Sequence, residues 1–373
     1  MAYSGFATRE GTASYRDSLS GKAEPAHFRE LEDLWMSSVG IGTYLGEADE
    51  AADADYRESV AEAVRLGCNV IDTALNYRFQ RSERSIGGAL DALFRSGEAR
   101  RGQVVLCTKG GFVPFDDTPP KTREEYLGYL ESTYFKPGVC APDDIVANCH
   151  CMTPAFLRHS LEASLKNLGV EAVDVYHVHN PEFQLQEVSR EVFQMRLRNA
   201  FAELERAVEA GKIRCYGTAT WTGFRADAGA ADYLSLDEVL QAALEAGGPG
   251  HHFRVIQLPL NLGMPEAFSK PNQEVDGQKV SLLAAAARNG VTVMSSGSIL
   301  QGRAAKGLPP VVGEVFSGFE TDAQRAIQFA RSAPGVGVAL VGMGRKDHVR
   351  ENMKVAARAP AAFEEFIRLF RRD

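Results

Sequence analysis

The chain has 373 residues and a formal net charge of −8, with 41 Lys and Arg against 49 Asp and Glu. Its basic residues are scattered, which argues against a nucleic-acid partner. No run approaches the roughly 20 apolar residues of a membrane span, and the N-terminus lacks the apolar core of a signal peptide, so we expect a cytoplasmic protein that binds no membrane.

Short apolar runs alternate with amphipathic stretches along most of the chain. The amphipathic stretches predict helices over residues 56–66, 83–94, 154–168, 191–210 and 236–246. The apolar runs predict strands near 37–41, 69–72, 104–108, 173–177, 213–218, 254–258, 291–295 and 337–341. Eight such units predict an α/β fold, a (β/α)8 TIM barrel, in one domain over residues 1–373.

The alternation fails once, between Gly111 and Thr153, so we predict a long insertion over residues 112–152, after strand 3. It must emerge at the carboxyl ends of the strands, where barrels of this kind carry their active sites. We predict a short helix over 123–133 and either a lid that shapes a substrate pocket or a packing insertion. Its aromatic residues argue against disorder: Phe112, Phe115, Tyr126, Tyr129, Tyr134 and Phe135.

Four polar residues stand at or just beyond the carboxyl ends of three successive predicted strands. Asp72 ends one strand and Tyr77 follows it, Lys109 ends the next, and His179 follows the third. Because the carboxyl ends of parallel strands meet at one edge, we expect these four side chains to lie together.

These four residue types suit proton donation to a carbonyl without a metal. A tyrosine hydroxyl with a pKa of about 10 is a poor acid, but a nearby lysine ammonium lowers that pKa by roughly 1–3 units. Asp72 would hold Lys109 by a charge-assisted hydrogen bond, and His179 would orient the carbonyl or share the proton. Tyr77 would then protonate the oxygen while hydride arrives from a cofactor.

Two further features leave alternatives. Cys140, Cys149 and Cys151 cluster with His150, but their spacing lacks a C-x-x-C pair, so we predict free thiols and no metal site. His177 shares a strand face with His179. It is either a core histidine bonded to a neighbour such as Cys107 or a water, or a residue that tunes the Lys109–Asp72 pair.

The motifs resemble those of the aldo-keto reductases, from about Gly40 to Asn352. The resemblance implies a reductase of aldehydes or ketones, such as sugar or aryl carbonyls, with Asp72, Tyr77, Lys109 and His179 as catalytic residues. It also suggests that the N-terminal extension over residues 1–35 contains a hairpin closing the barrel, although residues 6–15 could instead form a surface arm. The matching strings are Gly42-Thr43, Ile71-Asp72-Thr73-Ala74 with Tyr77, Ser82-Glu83, Thr108-Lys109, Leu168-Gly169, Asp174-Val175-Tyr176 with His179, Gly211-Lys212-Ile213-Arg214, Gln257, Gln301-Gly302 and Gly342 with Glu351-Asn352.

The same resemblance implies a bound nicotinamide nucleotide, although several positions depart from the family pattern, among them His348, where relatives commonly have Arg or Gln. Ala219 and Thr220 stand where many members have Ser-Asn, and Ser296 stands where an aromatic residue often stacks on the nicotinamide. Arg345 and Lys346 favour NADPH, with NADH also possible. The implied cofactor-binding residues are Gly42, Thr43, Thr220, Gln257, Ser296, Gly297, Ser298, Gln301, Gly342, Arg345, His348, Glu351 and Asn352.

Three classes of function follow. The first is an NADPH-dependent reductase acting on a small-molecule carbonyl substrate. The second is a nucleotide-binding sensor or regulatory subunit on the same fold with little turnover, like the potassium-channel β-subunits, and the third is a metal-dependent hydrolase. The complete set of four catalytic residue types favours the first, and the sequence leaves natural substrate, direction and oligomeric state open.

Overall fold

The eight apolar runs form one closed barrel of parallel strands in the computed structural model, which describes residues 2–371. A short antiparallel hairpin precedes the barrel and another lies in the loop after its sixth strand. The strands in chain order are β1 (Phe28–Leu31), β2 (Leu34–Ser37), β3 (Val39–Gly42), β4 (Val70–Asp72), β5 (Val105–Gly110), β6 (Val173–His179), β7 (Ile213–Ala219), β8 (Phe253–Pro259), β9 (Gln273–Val275), β10 (Gln278–Val280), β11 (Thr292–Ser296) and β12 (Val336–Gly342).

Helices follow the barrel strands and pack around them, as the (β/α)8 prediction requires. The predicted barrel fold is therefore confirmed. The helices are α1 (Arg9–Ser18), α2 (Glu50–Arg65), α3 (Arg81–Ser96), α4 (Arg123–Leu130), α5 (Pro154–Leu168), α6 (Arg190–Glu209), α7 (Leu236–Gly247), α8 (Glu266–Ser269), α9 (Leu282–Arg288), α10 (Pro310–Val315), α11 (Asp322–Ser332), α12 (Lys346–Asn352) and α13 (Phe363–Phe366). None of the helices within residues 2–371 has the length and apolar character needed to cross a bilayer.

The barrel closes where β12 pairs with β3, with Ala339 opposite Val39. Side chains alternate between the barrel interior and the layer under the helices, so the strands are buried on both faces. Between β7 and β8 the register shifts next to Gly217, where a Cβ atom would lie 1.7 Å from the Val255 carbonyl oxygen. Only glycine permits that close approach of the two strands.

The hairpin β1–β2 closes the amino-terminal end of the barrel. Leu34 and Met36 pack into the interior with Val105, Val255 and Met294. The helix α1 precedes the hairpin and was not predicted from the sequence. It buries only Thr12 and Tyr15. With two buried positions in ten residues, α1 has little apolar periodicity to reveal it.

The insertion forms a compact unit beside α5. Its α-helix is α4, shorter than the predicted 123–133, and a π-helical turn over residues 131–135 continues it. Leu130, Tyr134 and Cys151 pack with Phe156 of α5 in a small separate core. Ion pairs from Arg84 to Asp116 and Asp117 attach the insertion to α3.

Candidate active site

Lys109 and Asp72 form a buried ion pair at the carboxyl ends of β5 and β4. The Lys109 ammonium donates to Asp72 Oδ2 at 2.7 Å and to the Thr73 carbonyl oxygen at 2.7 Å. Gln257, at the same end of β8, donates to Asp72 Oδ1 at 2.8 Å. Burial lowers the pKa of Lys109, but the charge and hydrogen bond of Asp72, together with Tyr77 and Cys107, outweigh burial, so the pKa lies above its usual value and the ammonium stays charged.

Tyr77 lies beside this ion pair. The Lys109 Nζ atom is 5.1 Å from the centroid of the Tyr77 ring, and the His179 ring is 5.7 Å away, edge to face. Burial raises the pKa of Tyr77, and the positive charge of Lys109 lowers it by less, so the net shift is upward. Lys109 therefore lowers the pKa of Tyr77 as predicted, but burial outweighs this effect.

The turn after Tyr77 has an uncommon backbone. Arg78, Phe79 and Gln80 have φ values of 48°, 56° and 72°, in the left-handed region that L-residues rarely adopt. Arg78 holds this turn because its guanidinium donates to the Glu47 carbonyl oxygen at 2.8 Å and pairs with Asp53 at 2.7 Å. Contacts from α2 and its preceding loop therefore fix the turn that follows Tyr77.

His179 ends β6 and is a neutral imidazole. Burial, reinforced by the positive charge of Lys109, holds the pKa of His179 well below its usual value. Its Nδ1 atom has no hydrogen-bond partner within residues 2–371. The ring contacts Tyr77 and also Phe112, whose ring centroid is 5.0 Å away. The four predicted catalytic residues are thus brought together, with His179 able to offer a hydrogen bond but no charge.

His177 lies one layer deeper in the barrel, opposite Lys109. It is fully buried, and neither ring nitrogen has a partner in the part of the chain that the structure describes. Cys107, one of the partners considered for His177, therefore makes no hydrogen bond with it in the described structure. Burial, with a smaller effect of the Lys109 charge, lowers the pKa of His177 to about 3.

Two cavities extend across the carboxyl face of the barrel. The first, of about 430 Å³, lies over Asp72, Tyr77 and His179, and the second has about 470 Å³. They meet at Leu45, Ile299, Gln301 and Gly342, so one elongated ligand can occupy both. The first is lined by the predicted residues Gly42, Thr43, Thr220, Gln257, Ser296, Gly297 and Ser298, and the second by Arg345, His348, Glu351 and Asn352.

Polar groups without partners line the path between the cavities. The Thr220 hydroxyl is buried and unpartnered. The loop after β11 turns through left-handed residues at Gly297, Gln301 and Gly302. The backbone N–H groups of Ser298 and Ile299 have no backbone acceptor among residues 2–371. Such a loop can bind an anionic group, so its position fits the pyrophosphate of a dinucleotide.

Cationic side chains surround the second cavity unevenly. Arg345 lines it with a side chain that is 66% exposed, 3.9 Å from Asp347. Lys346 instead lies 4.0 Å from Glu58 of α2. Lys306, which the sequence reading did not name, lines the same cavity. The sequence gives little indication of its role, because Lys306 is a single lysine five residues after Gln301 in an irregular loop.

Several residues lining the first cavity were also missed. Tyr44 and Trp221 are large aromatic side chains, 56% and 41% exposed, at its mouth. Asn76 and Asn180 complete the part near His179. Their position in the sequence could have indicated them, because each lies within a few residues of the end of a predicted strand.

The aromatic residues of the insertion contribute little to this cavity. Phe112 alone of the six lines it, whereas Tyr126 and Tyr129 donate to the carbonyl oxygens of Asn148 and Pro114 at 2.5 Å each. Phe115 and Tyr134 pack within the same small core. Their contacts are those of a packing insertion, and of the six only Phe112 is placed at the cavity.

The loop after β7 is fixed by a buried carboxylate. Glu182 Oε1 accepts the backbone N–H groups of Trp221, Thr222 and Gly223 at 2.7, 3.1 and 3.4 Å. Burial raises the pKa of Glu182, and these three hydrogen bonds oppose the shift. Glu182 therefore sets the position of Trp221 at the mouth of the first cavity.

The cysteine and histidine cluster of the insertion does not form a metal centre. Cys140, Cys149 and Cys151 are free thiols. Within residues 2–371, no group of three or more His, Cys, Asp or Glu side chains is arranged to hold a metal ion. His150 instead hydrogen-bonds to the backbone of His179 at 2.7 Å.

Comparison with known proteins gives the family. The profile of the aldo/keto reductase family matches residues 38–228, about half of the chain and including all four residues of the site. The chain belongs to the aldo/keto reductase family.

Two curated relatives show how far the similarity extends. The NADH-specific methylglyoxal reductase of Escherichia coli is 31% identical over 192 residues, covering 50% of this chain and 49% of that protein. A putative voltage-gated potassium channel subunit beta of Schizosaccharomyces pombe is 26% identical over 215 residues, 57% of this chain and 50% of that one. The chain thus spans about half the length of these relatives.

Solved structures share the fold over nearly the whole chain. The glycerol dehydrogenase of Gluconobacter oxydans superposes with a TM-score of 0.64 at 18% identity, covering 93% of this chain and 95% of that one. An aldo/keto reductase of Klebsiella pneumoniae, in complex with NADP and acetate, gives 0.61 at 19% identity and covers 93% and 94%. At this identity the likeness supports the barrel fold alone.

Proposed function

We propose that the protein is an NADPH-dependent oxidoreductase that reduces an aldehyde or ketone, with Tyr77 as the general acid. The observation that carries the proposal is the Lys109–Asp72 ion pair beside Tyr77 and His179, on the floor of a cavity that opens into a second one. The membership of the aldo/keto reductase family and a relative named as a methylglyoxal reductase support the same reaction class.

Each of the four side chains has its own role in the proposed reaction. Tyr77 donates its proton to the carbonyl oxygen as negative charge develops there, and the Lys109 ammonium stabilises the phenolate that remains. Asp72, held by Lys109 and Gln257, keeps the ammonium in place. Neutral His179 donates a hydrogen bond to the same oxygen and orients the carbonyl. A reduced nicotinamide, when bound, supplies the hydride.

The nucleotide would extend along both cavities. Thr220 and Gln257 would hold the carboxamide, and the loop from Gly297 to Ser298 the pyrophosphate. Arg345 and Lys306 offer positive charge for a 2′-phosphate, which supports NADPH. The NADH-specific relative makes NADH the alternative.

The substitution Tyr77→Phe tests the general acid. It removes the transferable proton and keeps the ring, so we expect turnover of a carbonyl substrate to fall at least about a hundredfold. The Kd for NADPH, measured by quenching of intrinsic fluorescence, should stay within about twofold of wild type, because the cavities keep their lining. Wild-type-like turnover in Tyr77→Phe would contradict the proposal.

A matched substitution tests the cofactor. In Arg345→Ala we expect weaker binding of NADPH and unchanged binding of NADH, because only NADPH carries the 2′-phosphate. Equal loss for both nucleotides would argue against Arg345 as the phosphate ligand.

The sensor alternative rests on the relative named as a channel subunit. A sensor would bind the nucleotide in the same cavities as an enzyme would, but it would turn over little carbonyl substrate. A screen of aldehydes and ketones with bound NADPH separates them, because a sensor would hold the nucleotide without consuming it at an enzymatic rate.

A further inference from the structure

His150 lies against catalytic His179, at the far end of the insertion. It is fully buried, and its Nε2 atom is 2.7 Å from the backbone carbonyl oxygen of His179. The carbonyl belongs to the last residue of β6, beyond which the chain turns through left-handed Asn180. His150 thus contacts the backbone that sets the direction of the His179 side chain.

The hydrogen bonds around His150 can run in only one direction. Arg196 of α6 is always a donor, and its Nη1 atom lies 2.5 Å from Gln184 Oε1. The Gln184 amide must therefore direct its Nε2 atom toward His150 Nδ1, 2.8 Å away. His150 accepts there, and so it carries its proton on Nε2 and donates to His179. Burial lowers the pKa of His150 to about 4, which keeps the ring neutral.

His150 also acts on the His179 ring through Phe112. The Phe112 ring packs edge to face on His150 at 5.3 Å and on His179 at 5.0 Å. Phe183 stands on another side of Phe112 at 5.2 Å and faces the His150 ring at 6.1 Å. The His179 ring is therefore packed edge to face against a residue of the insertion.

The backbone makes room for this arrangement. Gly111 has φ +146°, and a Cβ atom there would lie 2.8 Å from the His179 carbonyl oxygen and 2.9 Å from His150 Nε2. Both ends of the insertion pair beside it, since Cys151 donates to Gly111 at 2.7 Å and Val113 donates to Cys149 at 2.7 Å. His150 is therefore delivered to β6 by an ordered backbone.

We propose that His150 is a positioning residue for carbonyl reduction, which holds His179 in its productive orientation through the His179 carbonyl and the Phe112 ring. The inference rests on the proposed reductase function and deepens it. It gives the insertion a role in the chemical step in addition to packing.

Three substitutions distinguish the hydrogen bond that His150 donates to His179 from the ring contact that His150 makes with Phe112. His150→Phe keeps a ring against Phe112 but removes the donor to His179, and His150→Gln keeps a terminal amide N–H that reaches the same carbonyl. The control His159→Phe changes an exposed histidine that contacts Tyr134 of the insertion but lies outside the cavity lining. Each variant is measured for kcat and KM with a carbonyl substrate, for NADPH Kd, and for thermal unfolding.

We expect kcat to fall about ten- to hundredfold in His150→Phe, since a small misplacement of a catalytic group has effects of this size. The NADPH Kd should change less than about twofold, His150→Gln should recover most of the loss, and His159→Phe should behave as wild type. Equal loss of kcat in His150→Phe and His150→Gln would overturn the proposal, as would wild-type kcat in His150→Phe.

A second readout does not depend on turnover. In protein labelled with ¹⁵N-histidine, the signals of the 8 histidines are followed by NMR, with His179 assigned from its loss in His179→Gln. His150→Phe should shift the His179 signals, and His159→Phe should not. Unmoved His179 signals would overturn the positioning role. Absence of carbonyl turnover in wild type would instead overturn the proposed function, so the two failures are distinguishable.

Discussion

Individual buried side chains in this barrel divide into those with polar partners and those without. His27 and His177 are both fully buried, but His27 contacts the Gly67 carbonyl oxygen at 2.9 Å and the Ser38 hydroxyl at 3.1 Å. Neither nitrogen of His177 has a partner within residues 2–371. An unpartnered buried polar group costs about 1–3 kcal/mol, which makes His177 a candidate for a stabilising substitution.

We therefore expect His177→Leu to raise the free energy of unfolding by roughly 1–3 kcal/mol, because it removes two unpaired nitrogens at similar volume. His27→Leu is the matched control and should lower it, since it removes the His27 contacts to the Gly67 carbonyl oxygen and to the Ser38 hydroxyl. Urea denaturation of both variants measures the effect. If His177→Leu destabilises as much as His27→Leu, then His177 has a partner, such as a buried water.

Among the elements, the loop after β7 shows how one carboxylate fixes part of the site. Three successive N–H groups, of Trp221, Thr222 and Gly223, point to Glu182 Oε1. Without that oxygen the three donors would be left without a protein acceptor, and the loop would lose its anchor to the segment after β6.

We expect Glu182→Ala to free the Trp221 side chain, and Glu182→Gln to retain it because the amide oxygen still accepts. The chain has two tryptophans, so a Trp35→Phe background isolates the Trp221 signal. Fluorescence anisotropy of Trp221 should fall in Glu182→Ala and stay near the parent value in Glu182→Gln. Equal anisotropy in all three proteins would show that other contacts hold the loop.

Element boundaries were predictable where apolar periodicity marks them. The helix α5 matches the predicted 154–168 because Pro154 begins it and Gly169 ends it. In contrast, α2 begins at Glu50, six residues before the predicted start, because Asp49 caps a first turn that is mostly exposed. Contacts such as Glu182 with the β7 loop join distant segments, and no local pattern carries them.

At the scale of the whole molecule, buried neutral histidines make the free energy of unfolding depend on pH. Burial is the largest cause that lowers the pKa of His27 and His150 to about 4 and of His177 to about 3. In the unfolded chain these histidines take up protons near pH 6.5. Between about pH 6.5 and 4 the unfolded state therefore binds more protons, and stability falls as the pH falls.

We expect the free energy of unfolding to decrease by about 1.4 kcal/mol per pH unit for each such histidine, once the pH is well below 6.5. Chemical denaturation at intervals from pH 6.5 to 5 measures the slope. The interval from pH 7.5 to 8.5 is the internal control, where none of the three changes its charge. A flat profile down to pH 5 would mean that these histidines are protonated inside the fold.

The overall architecture was easier to predict from the sequence than the individual side-chain contacts. Eight strands and four polar residues at their ends were sufficient for the barrel and for the assembly of Asp72, Tyr77, Lys109 and His179. The net pKa of Tyr77 was not predictable, because it depends on how much burial surrounds the hydroxyl. The role of His150 was equally hidden, since a packed turn brings it beside His179.

The hairpin β1–β2 has a consequence for biosynthesis. Its side chains Leu34 and Met36 pack with Val338 and Leu340 of β12, and Arg29 donates to the carbonyl oxygen of Arg331 at 2.6 Å. A ribosome produces the hairpin roughly three hundred residues before these partners, so the nascent chain carries it undocked through most of translation. Final closure of the barrel must therefore await release of the last strand, and until then apolar side chains of its interior stay exposed, which makes the unfinished chain prone to aggregate.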